Sequence, residues 1–164
     1  MSGSIWDEDI GGMGLDPADF RGKVVLIVNT ATRCGLTPQL SKLQALQDRW
    51  RFAGFTVLGI PSKDFGNQEF DHIDETKAFC LANHGVSFPL SSISGVKHDR
   101  NPLHEYLAGT DLPQPRWNFH KFVIGRDGSP IAGFDCEIEP DDEQLMLSIS
   151  MALSEDPPEE DGQP

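Results

Sequence analysis

Basic residues are scarce in this chain of 164 residues. It contains 13 Lys and Arg against 26 Asp and Glu, which gives a formal net charge of -13 and a pI near 4.6. Nucleic acids and anionic membrane surfaces are bound through clustered cations that neutralise phosphates. The charge balance therefore argues against both as partners.

Long apolar runs are absent as well. No segment has the roughly 20 consecutive apolar residues that a helix needs to cross a bilayer, so we expect no membrane insertion. The first ten residues have neither a basic start nor an apolar core, so we expect no secretory signal and no transit peptide. The expected location is the cytoplasm, where a cysteine persists as a thiol unless it is used.

Cysteine is also rare, and the chain has three: Cys34, Cys80 and Cys136. An odd, small number in a chain of this length does not form the disulfide framework of a small secreted domain. The five histidines show no metal-ligand spacing, so we predict no metal site and read them as surface residues. No glycine-rich phosphate loop follows a strand, which argues against a bound nucleotide.

Apolar runs and helical patterns alternate along the first half of the chain. Runs over residues 23–29 and 55–60 predict two buried strands. Between them, apolar residues recur near helical spacing, with Thr37 as the expected cap, Pro38 at the first helical position and Gly54 at the end. A strand, a helix and a strand of this length predict a parallel unit with a right-handed crossover.

The second half of the chain has an antiparallel pattern. Strand-like runs over residues 117–124 and 129–134 flank a Gly-Arg-Asp-Gly turn at 125–128, which predicts a hairpin. Helical patterns cover most of the remainder, namely residues 71–85, 101–108 and 140–153.

The chain shows no internal repeat and no domain boundary. We therefore predict one α/β domain over residues 1–153, with helices on both faces of the sheet. Residues 154–164 are acidic and almost free of apolar side chains, so they cannot offset the entropy of ordering, and we expect a disordered tail.

Cys34 lies where the first strand gives way to the first helix. The positive end of a helix dipole and its unpaired N–H groups favour an anion, so a thiolate is favoured there, and Arg33 adds positive charge. A strand, a cysteine at a helix start, a second strand and a later hairpin with a closing helix form the element order of the thioredoxin-like fold.

Several sequence blocks resemble the glutathione peroxidase family, in the same order, over roughly residues 5–153. The resemblance implies a thioredoxin-like α/β fold whose central mixed β-sheet is flanked by helices, with an N-terminal β-hairpin extension. The blocks are Asn-Thr-Ala-Thr-Arg-Cys-Gly-Leu-Thr at 29–37, Leu-Gly-Ile-Pro at 58–61, Asp-Phe-Gly-Asn-Gln-Glu at 64–69, Phe-Cys at 79–80 with Gly-Val-Ser-Phe-Pro at 85–89, and Arg-Trp-Asn-Phe at 116–119.

The resemblance implies a four-residue catalytic site made of Cys34, Gln68, Trp117 and Asn118. In this family the cysteine attacks a hydroperoxide as the thiolate and becomes a sulfenic acid. The two amides and the indole N–H can donate hydrogen bonds to the sulfur and to the departing oxygen. Taken alone, each of these three residues would be read as an ordinary surface or core residue.

Cys80 is the expected resolving cysteine, again from the resemblance. It would convert the sulfenic acid of Cys34 into an intramolecular disulfide that thioredoxin reduces. The alternative is a buried cysteine that only fills the apolar face of its helix. A disulfide needs Cα atoms within roughly 7 Å, so if the two thiols lie on separate helices beyond that reach, the second helix has to unwind locally. Cys136 matches no catalytic block, and we read it as structural or incidental.

The chain also departs from the family pattern. Ser62 stands where a cysteine is common, Lys63 and Asp64 stand where Asn and Gln are usual, and Phe70 replaces a common proline. These changes alter the local charge, which bears on the preferred peroxide and on the docking of the reductant. No long insertion follows Phe88, so we expect a monomer or a small dimer.

The sequence therefore predicts a thiol peroxidase that reduces hydrogen peroxide and organic hydroperoxides in the response to oxidative stress. It would need no bound cofactor, only an external thiol reductant, either thioredoxin or glutathione. A general thiol-disulfide oxidoreductase would want a second cysteine at position 37, where this chain has Thr37. A non-enzymatic peroxide sensor that uses the same disulfide stays open.

Overall fold

Four strands form one mixed sheet in the order β2-β1-β3-β4. In the computed structural model, which describes residues 3–158, β1 (Val24–Thr30) pairs in parallel with β2 (Phe55–Pro61). On its other side β1 pairs antiparallel with β3 (Lys121–Ile124), which pairs antiparallel with β4 (Pro130–Phe134). The predicted parallel unit and the predicted hairpin are both confirmed.

Within the described residues, four α-helices cover the sheet, close to the predicted segments. They are α1 (Gln39–Trp50), α2 (Ile73–His84), α3 (Pro102–Ala108) and α4 (Glu143–Leu153).

The side chains of β1 alternate between two apolar cores, one on each face of the sheet. Val24, Leu26 and Val28 join the core beneath α1 and α4, whereas Val25 and Ile27 join the core beneath α3 and the N-terminal segment. All residues of β1 are buried because both faces are covered. Burial on both faces fixes the strand, and with it the position of the residues that follow.

The predicted N-terminal β-hairpin is wrong. Three short 3₁₀ segments stand there instead, at Ile5–Asp7, Gly11–Met13 and Pro17–Asp19. The Ser4 hydroxyl accepts a hydrogen bond from the Trp6 N–H at 3.0 Å, and such local side-chain bonds compete with the pairing of strands. The buried residues of this segment pack on the second core.

The predicted capping of α1 is also wrong. The helix begins at Gln39, Pro38 precedes it, and Thr37 does not cap it. Cys34 therefore lies in the turn before the helix, not at its first residue. At the other end Gly54 closes the helical run as predicted, with a left-handed φ of 94° after a short 3₁₀ turn.

The chain after α4 is described only as far as residue 158, and residues 154–158 are exposed. The rest of the predicted disordered tail, 159–164, lies outside the described residues, so the tail and the domain boundary at 153 remain predictions. Within residues 3–158, the helices are all too short or too polar to cross a membrane.

Two of the histidines are buried, contrary to the prediction that all five are surface residues. His104 is 2% exposed and His120 is 1% exposed, and their rings flank Phe122 with centroid distances of 6.2 and 4.6 Å. Burial in this apolar surrounding disfavours the charged imidazolium. It lowers the pKa of His104 to about 3 and that of His120 to about 4.

We therefore expect the fold to lose stability as the pH falls from 7.5 to 5.5. Below the ordinary histidine pKa of about 6.5 the unfolded chain binds protons that the folded chain refuses, at about 1.4 kcal/mol per pH unit for each buried histidine. Urea unfolding should show a loss of about 2 to 3 kcal/mol over this interval from the pair. A His104→Gln, His120→Gln double variant should lose much of this pH dependence.

His98→Gln is the matched control, because His98 is exposed. It should keep the pH slope of the original protein. An unchanged slope in the double variant would mean that the two buried rings do not carry the effect.

Candidate active site

Cys34 lies in a turn that follows the C-terminal end of β1 and that is held by hydrogen bonds to Thr37. The Thr37 hydroxyl donates to the Ala31 carbonyl at 2.8 Å and accepts from the Cys34 N–H at 3.0 Å. The backbone of the turn is closed further by a bond from the Thr37 N–H to the Cys34 carbonyl at 3.1 Å. This brace fixes the thiol at the edge of the central strand.

Two N–H groups point at the Cys34 sulfur. The Trp117 indole Nε1 and the Leu36 backbone nitrogen each lie 3.3 Å from Sγ. Hydrogen bonds to sulfur stabilise its anionic form. Cys34 is only 8% exposed, so the thiol has little contact with solvent. The Leu36 donor is a backbone group, which residue identity does not reveal.

The position of Trp117 is set by the same strand that positions the cysteine. The Asn29 side chain in β1 donates to the Trp117 carbonyl at 3.0 Å, and the Asn29 carbonyl accepts from the Phe119 N–H at 2.7 Å. Phe119 has a φ of 73°, a strained value for a residue other than glycine. Arg116 adds a bidentate ion pair with Asp135, with both N–O distances at 2.7 Å.

Gln68 and Asn118 form a pair beside this centre. Asn118 Nδ2 donates to Gln68 Oε1 at 3.1 Å and to the Phe65 carbonyl at 3.3 Å, and the Gln68 carbonyl accepts from the Arg33 N–H at 2.9 Å. Neither amide bonds the sulfur. Bonding through Oε1 leaves the Gln68 amide N–H groups available as donors. Of the four predicted residues, Trp117 therefore contacts the Cys34 sulfur, whereas Gln68 and Asn118 contact each other.

A model of the glutathione peroxidase family matches residues 5–108 of this chain. The chain belongs to the glutathione peroxidase family. The predicted family and the predicted class of enzyme, a peroxidase among the oxidoreductases, are confirmed.

Similar proteins cover nearly the whole chain. A hydroperoxy fatty acid reductase, Gpx2, of Synechocystis is 42% identical over 87% of this chain and 92% of that protein. The thioredoxin/glutathione peroxidase BtuE of Escherichia coli is 36% identical over 90% of this chain and 94% of its own length. The crystal structure of T. cruzi GPX1 superposes with a TM-score of 0.63 at 26% identity, covering 85% of this chain and 87% of that one. The predicted thioredoxin-like fold is confirmed.

The two charged departures from the family pattern, Lys63 and Asp64, have partners within the protein. The Asp64 carboxylate accepts the backbone N–H groups of Val96, Lys97 and His98 at 2.8, 2.9 and 3.1 Å. Partial burial raises the pKa of Asp64, but the three N–H bonds outweigh it and lower the pKa overall. Lys63 forms an ion pair with Asp71. Both charges are therefore engaged within the protein.

The other two cysteines are buried free thiols. Cys80 on α2 is 1% exposed, and Cys136, which follows β4, is 3% exposed. Burial and the charge of Glu69 raise the pKa of Cys80 to about 12. Burial and Asp135 raise the pKa of Cys136. Both therefore stay protonated where they lie, and no disulfide joins Cys34 to Cys80. In residues 3–158, no cluster of His, Cys, Asp and Glu could hold a metal ion.

Gly66 lets Trp117 approach the loop that carries Gln68. A Cβ at this position would lie 2.9 Å from the end of the indole ring, and Gly66 has a left-handed φ of 72°. Sequence reasoning missed this residue, although it lies inside the matched block 64–69. Its role depends on a ring from a distant part of the chain.

We expect Gly66→Ala to destabilise the fold and to displace the indole from the Cys34 sulfur. Gly14→Ala is the matched control, because Gly14 has a φ of 73° and nothing within 4 Å of its Cβ position. The control should lose about 1 to 2 kcal/mol of unfolding free energy in urea, the cost of a left-handed side chain. Gly66→Ala should lose more, and only it should slow the oxidation of Cys34 by peroxide. Equal losses and equal rates would contradict a role in placing Trp117.

Proposed function

We propose that this chain is a thiol peroxidase that reduces hydrogen peroxide and organic hydroperoxides through Cys34. The observation that carries the proposal is the Trp117 indole N–H at 3.3 Å from the Cys34 sulfur, in a chain of this family. A neutral donor aimed at a sulfur stabilises the thiolate without pairing it with a fixed cation that would hold it back from reaction.

The first step is attack of the Cys34 thiolate on one oxygen of the hydroperoxide. An S–O bond forms while the O–O bond breaks, and the second oxygen leaves as an alcohol or as water after taking up a proton. The Trp117 and Leu36 N–H groups stabilise the sulfur before attack. In the proposed step the Gln68 amide, which accepts from Asn118, donates to the departing oxygen.

The second step is resolution of the Cys34 sulfenic acid by Cys80. The Cys80 sulfur attacks the oxidised sulfur, an S–S bond forms and water leaves. Burial raises the pKa of Cys80 to about 12, so the thiol stays protonated where it lies and α2 has to open before it reacts. The buried residues of α2 are Thr76 and Cys80, and a helix with so small a buried face opens at low cost.

Thioredoxin is the reductant that we propose for the resulting disulfide. Glutathione is an anionic peptide, and its recognition calls for cations that are not already paired. Three cations of the chain have acidic partners: Lys42 bonds Glu139 and Asp141 at 3.2 and 3.3 Å, Lys63 pairs with Asp71, and Arg116 pairs with Asp135 at 2.7 Å. Arg33, beside Cys34, lies over the Phe70 ring at 4.6 Å from its centroid. The name of the Escherichia coli relative includes both reductants.

A non-enzymatic peroxide sensor is the second candidate, and the depth of Cys80 favours it. A resolving thiol that is 1% exposed reacts slowly, which prolongs the life of the sulfenic acid and lets a partner protein react with it instead. Peroxide consumption coupled to thioredoxin, thioredoxin reductase and NADPH separates the two. Repeated turnover supports the enzyme, whereas one oxidation per chain supports the sensor.

Replacing Cys80 by serine should reduce thioredoxin-coupled turnover by about 10-fold or more, because no resolving thiol remains. One equivalent of peroxide should then leave Cys34 as a sulfenic acid that dimedone traps, as seen by mass spectrometry. Cys136→Ser is the matched control, a second buried cysteine, and should turn over normally. Wild-type turnover in Cys80→Ser would show that Cys80 does not resolve the sulfenic acid.

Trp117→Phe should slow the oxidation of Cys34 by about 10-fold or more, because it keeps the ring and removes the N–H donor. The measurement is the second-order rate constant with hydrogen peroxide in stopped flow. Trp50→Phe, at a partly buried tryptophan of α1, serves as the control and should leave this rate unchanged. A rate equal to that of the original protein in Trp117→Phe would remove the observation on which the proposal depends.

A further inference from the structure

A buried carboxyl group, that of Glu69, lies between the two segments that carry Cys34 and Cys80. Glu69 is 3% exposed. Its Oε1 accepts hydrogen bonds from the Thr32 hydroxyl at 2.7 Å, the Thr76 hydroxyl at 2.8 Å and the Phe70 N–H at 2.8 Å. Its Oε2 is buried with no hydrogen-bond partner in the described part of the chain. Burying a carboxyl oxygen without a hydrogen-bond partner costs free energy, and the three hydrogen bonds to Oε1 have to offset that cost.

The two hydroxyls belong to the two segments that carry the cysteines of the proposed reaction. Thr32 lies in the turn after β1, two residues before Cys34. Thr76 lies in the first turn of α2, four residues before Cys80, and residues at this spacing share one face of a helix. The Thr32–Glu69–Thr76 chain therefore joins the loop of the attacking cysteine to the helix of the resolving cysteine.

The same two segments meet a second time through Phe70. The Arg33 guanidinium lies over the Phe70 ring at 4.6 Å from its centroid, and the Phe79 ring of α2 lies 6.0 Å away on an edge. Contacts of these two kinds are each worth about 0.5 to 1.5 kcal/mol.

Docking of α2 also keeps Cys80 unreactive. Burial and the Glu69 charge raise the pKa of Cys80 to about 12, and only the thiolate attacks a sulfenic acid. Breaking the bond between Glu69 and Thr76 would free the helix and would move the thiol away from that charge.

We propose that Glu69 is a positioning residue for the resolving step: its bonds to Thr32 and Thr76 latch α2 onto the Cys34 loop, and Cys80 reaches Cys34 only when the bond to Thr76 breaks. The inference rests on the proposed function, with Cys80 as the resolving thiol. The step needs no further reactant. The Cys80 thiol gives up its proton, its sulfur forms the S–S bond, the S–O bond of Cys34 breaks, and the proton leaves with the hydroxide as water.

The test is the rate of Cys34–Cys80 disulfide formation after one equivalent of hydrogen peroxide, followed by acid quench, alkylation and mass spectrometry. Thr76→Val removes the hydroxyl and keeps the shape, and should form the disulfide about 10- to 150-fold faster, as expected from the loss of one hydrogen bond to a charged group. Thr76→Ser keeps a hydroxyl and should stay within about twofold of the original rate. The oxidation of Cys34 itself should not change.

Glu69→Gln provides a readout that a merely structural role does not move. It removes the charge beside Cys80 and keeps the size of the side chain. N-ethylmaleimide should alkylate Cys80 faster in the reduced variant, and the pH profile of that alkylation should shift to lower pH. This variant also tests the latch if Thr76→Val fails to fold.

Thr56→Val is the matched control, a hydroxyl-to-methyl change at a buried threonine of β2 that has no contact with the latch. It should leave the disulfide rate unchanged. Acceleration equal to that of Thr76→Val would reveal general destabilisation and overturn the latch. So would a disulfide that forms at the original rate in both Thr76→Val and Glu69→Gln. Absence of any Cys34–Cys80 disulfide in the original protein would instead overturn the resolving step of the proposed function.

Discussion

The C-terminal end of β1 is the constraint on which the rest of the site depends. The strand is buried on both faces, so its end cannot move without disturbing two apolar cores. At that end the Asn29 side chain donates a hydrogen bond to the Trp117 carbonyl. The Ala31 carbonyl accepts one from the Thr37 hydroxyl, and the Thr32 hydroxyl donates one to Glu69. The Cys34 sulfur and its indole donor are therefore positioned by one rigid element, although they are 83 residues apart in sequence.

The sequence predicted the layers of the fold better than its local details. Buried strands and the hairpin follow from apolar runs and turn residues, which depend on neighbours in the chain. The N-terminal hairpin failed because it came from the family resemblance, while in this chain Ser4 and its neighbours form local turn bonds. The capping of α1 failed because the Thr37 hydroxyl bonds the Cys34 turn instead. His104 and His120 carried no pattern that separates a buried imidazole from a surface one.

In the candidate site, too, the sequence predicted some features and missed others. Cys34, Gln68, Trp117 and Asn118 lie in sequence blocks and were found from them. The Leu36 N–H, the space at Gly66 and the Thr32–Glu69–Thr76 chain were missed, because each depends on which distant group the fold brings close. In the sequence, Glu69 is indistinguishable from an ordinary surface charge; the structure shows that its carboxyl is buried.

Burial alone does not separate a resolving cysteine from a structural one, since Cys80 and Cys136 are both buried thiols with raised pKa values. Their anchoring differs. The Cys136 carbonyl accepts from Gln39 Nε2 at 2.9 Å and from the buried Lys121 ammonium at 3.1 Å, so its segment is tied to α1 and to the central sheet. Releasing Cys136 would expose a buried cation and an amide together, which is costly. Releasing Cys80 requires the Thr76 hydroxyl to leave the Glu69 carboxyl, the exposed Ser41–His84 bond and the Phe70–Phe79 contact to break, and a narrow helix face to lift, but it exposes no buried cation. Cys80 is therefore the less firmly anchored of the two thiols, and in the proposed mechanism this difference in anchoring, not acidity in the folded state, selects it as the partner of Cys34.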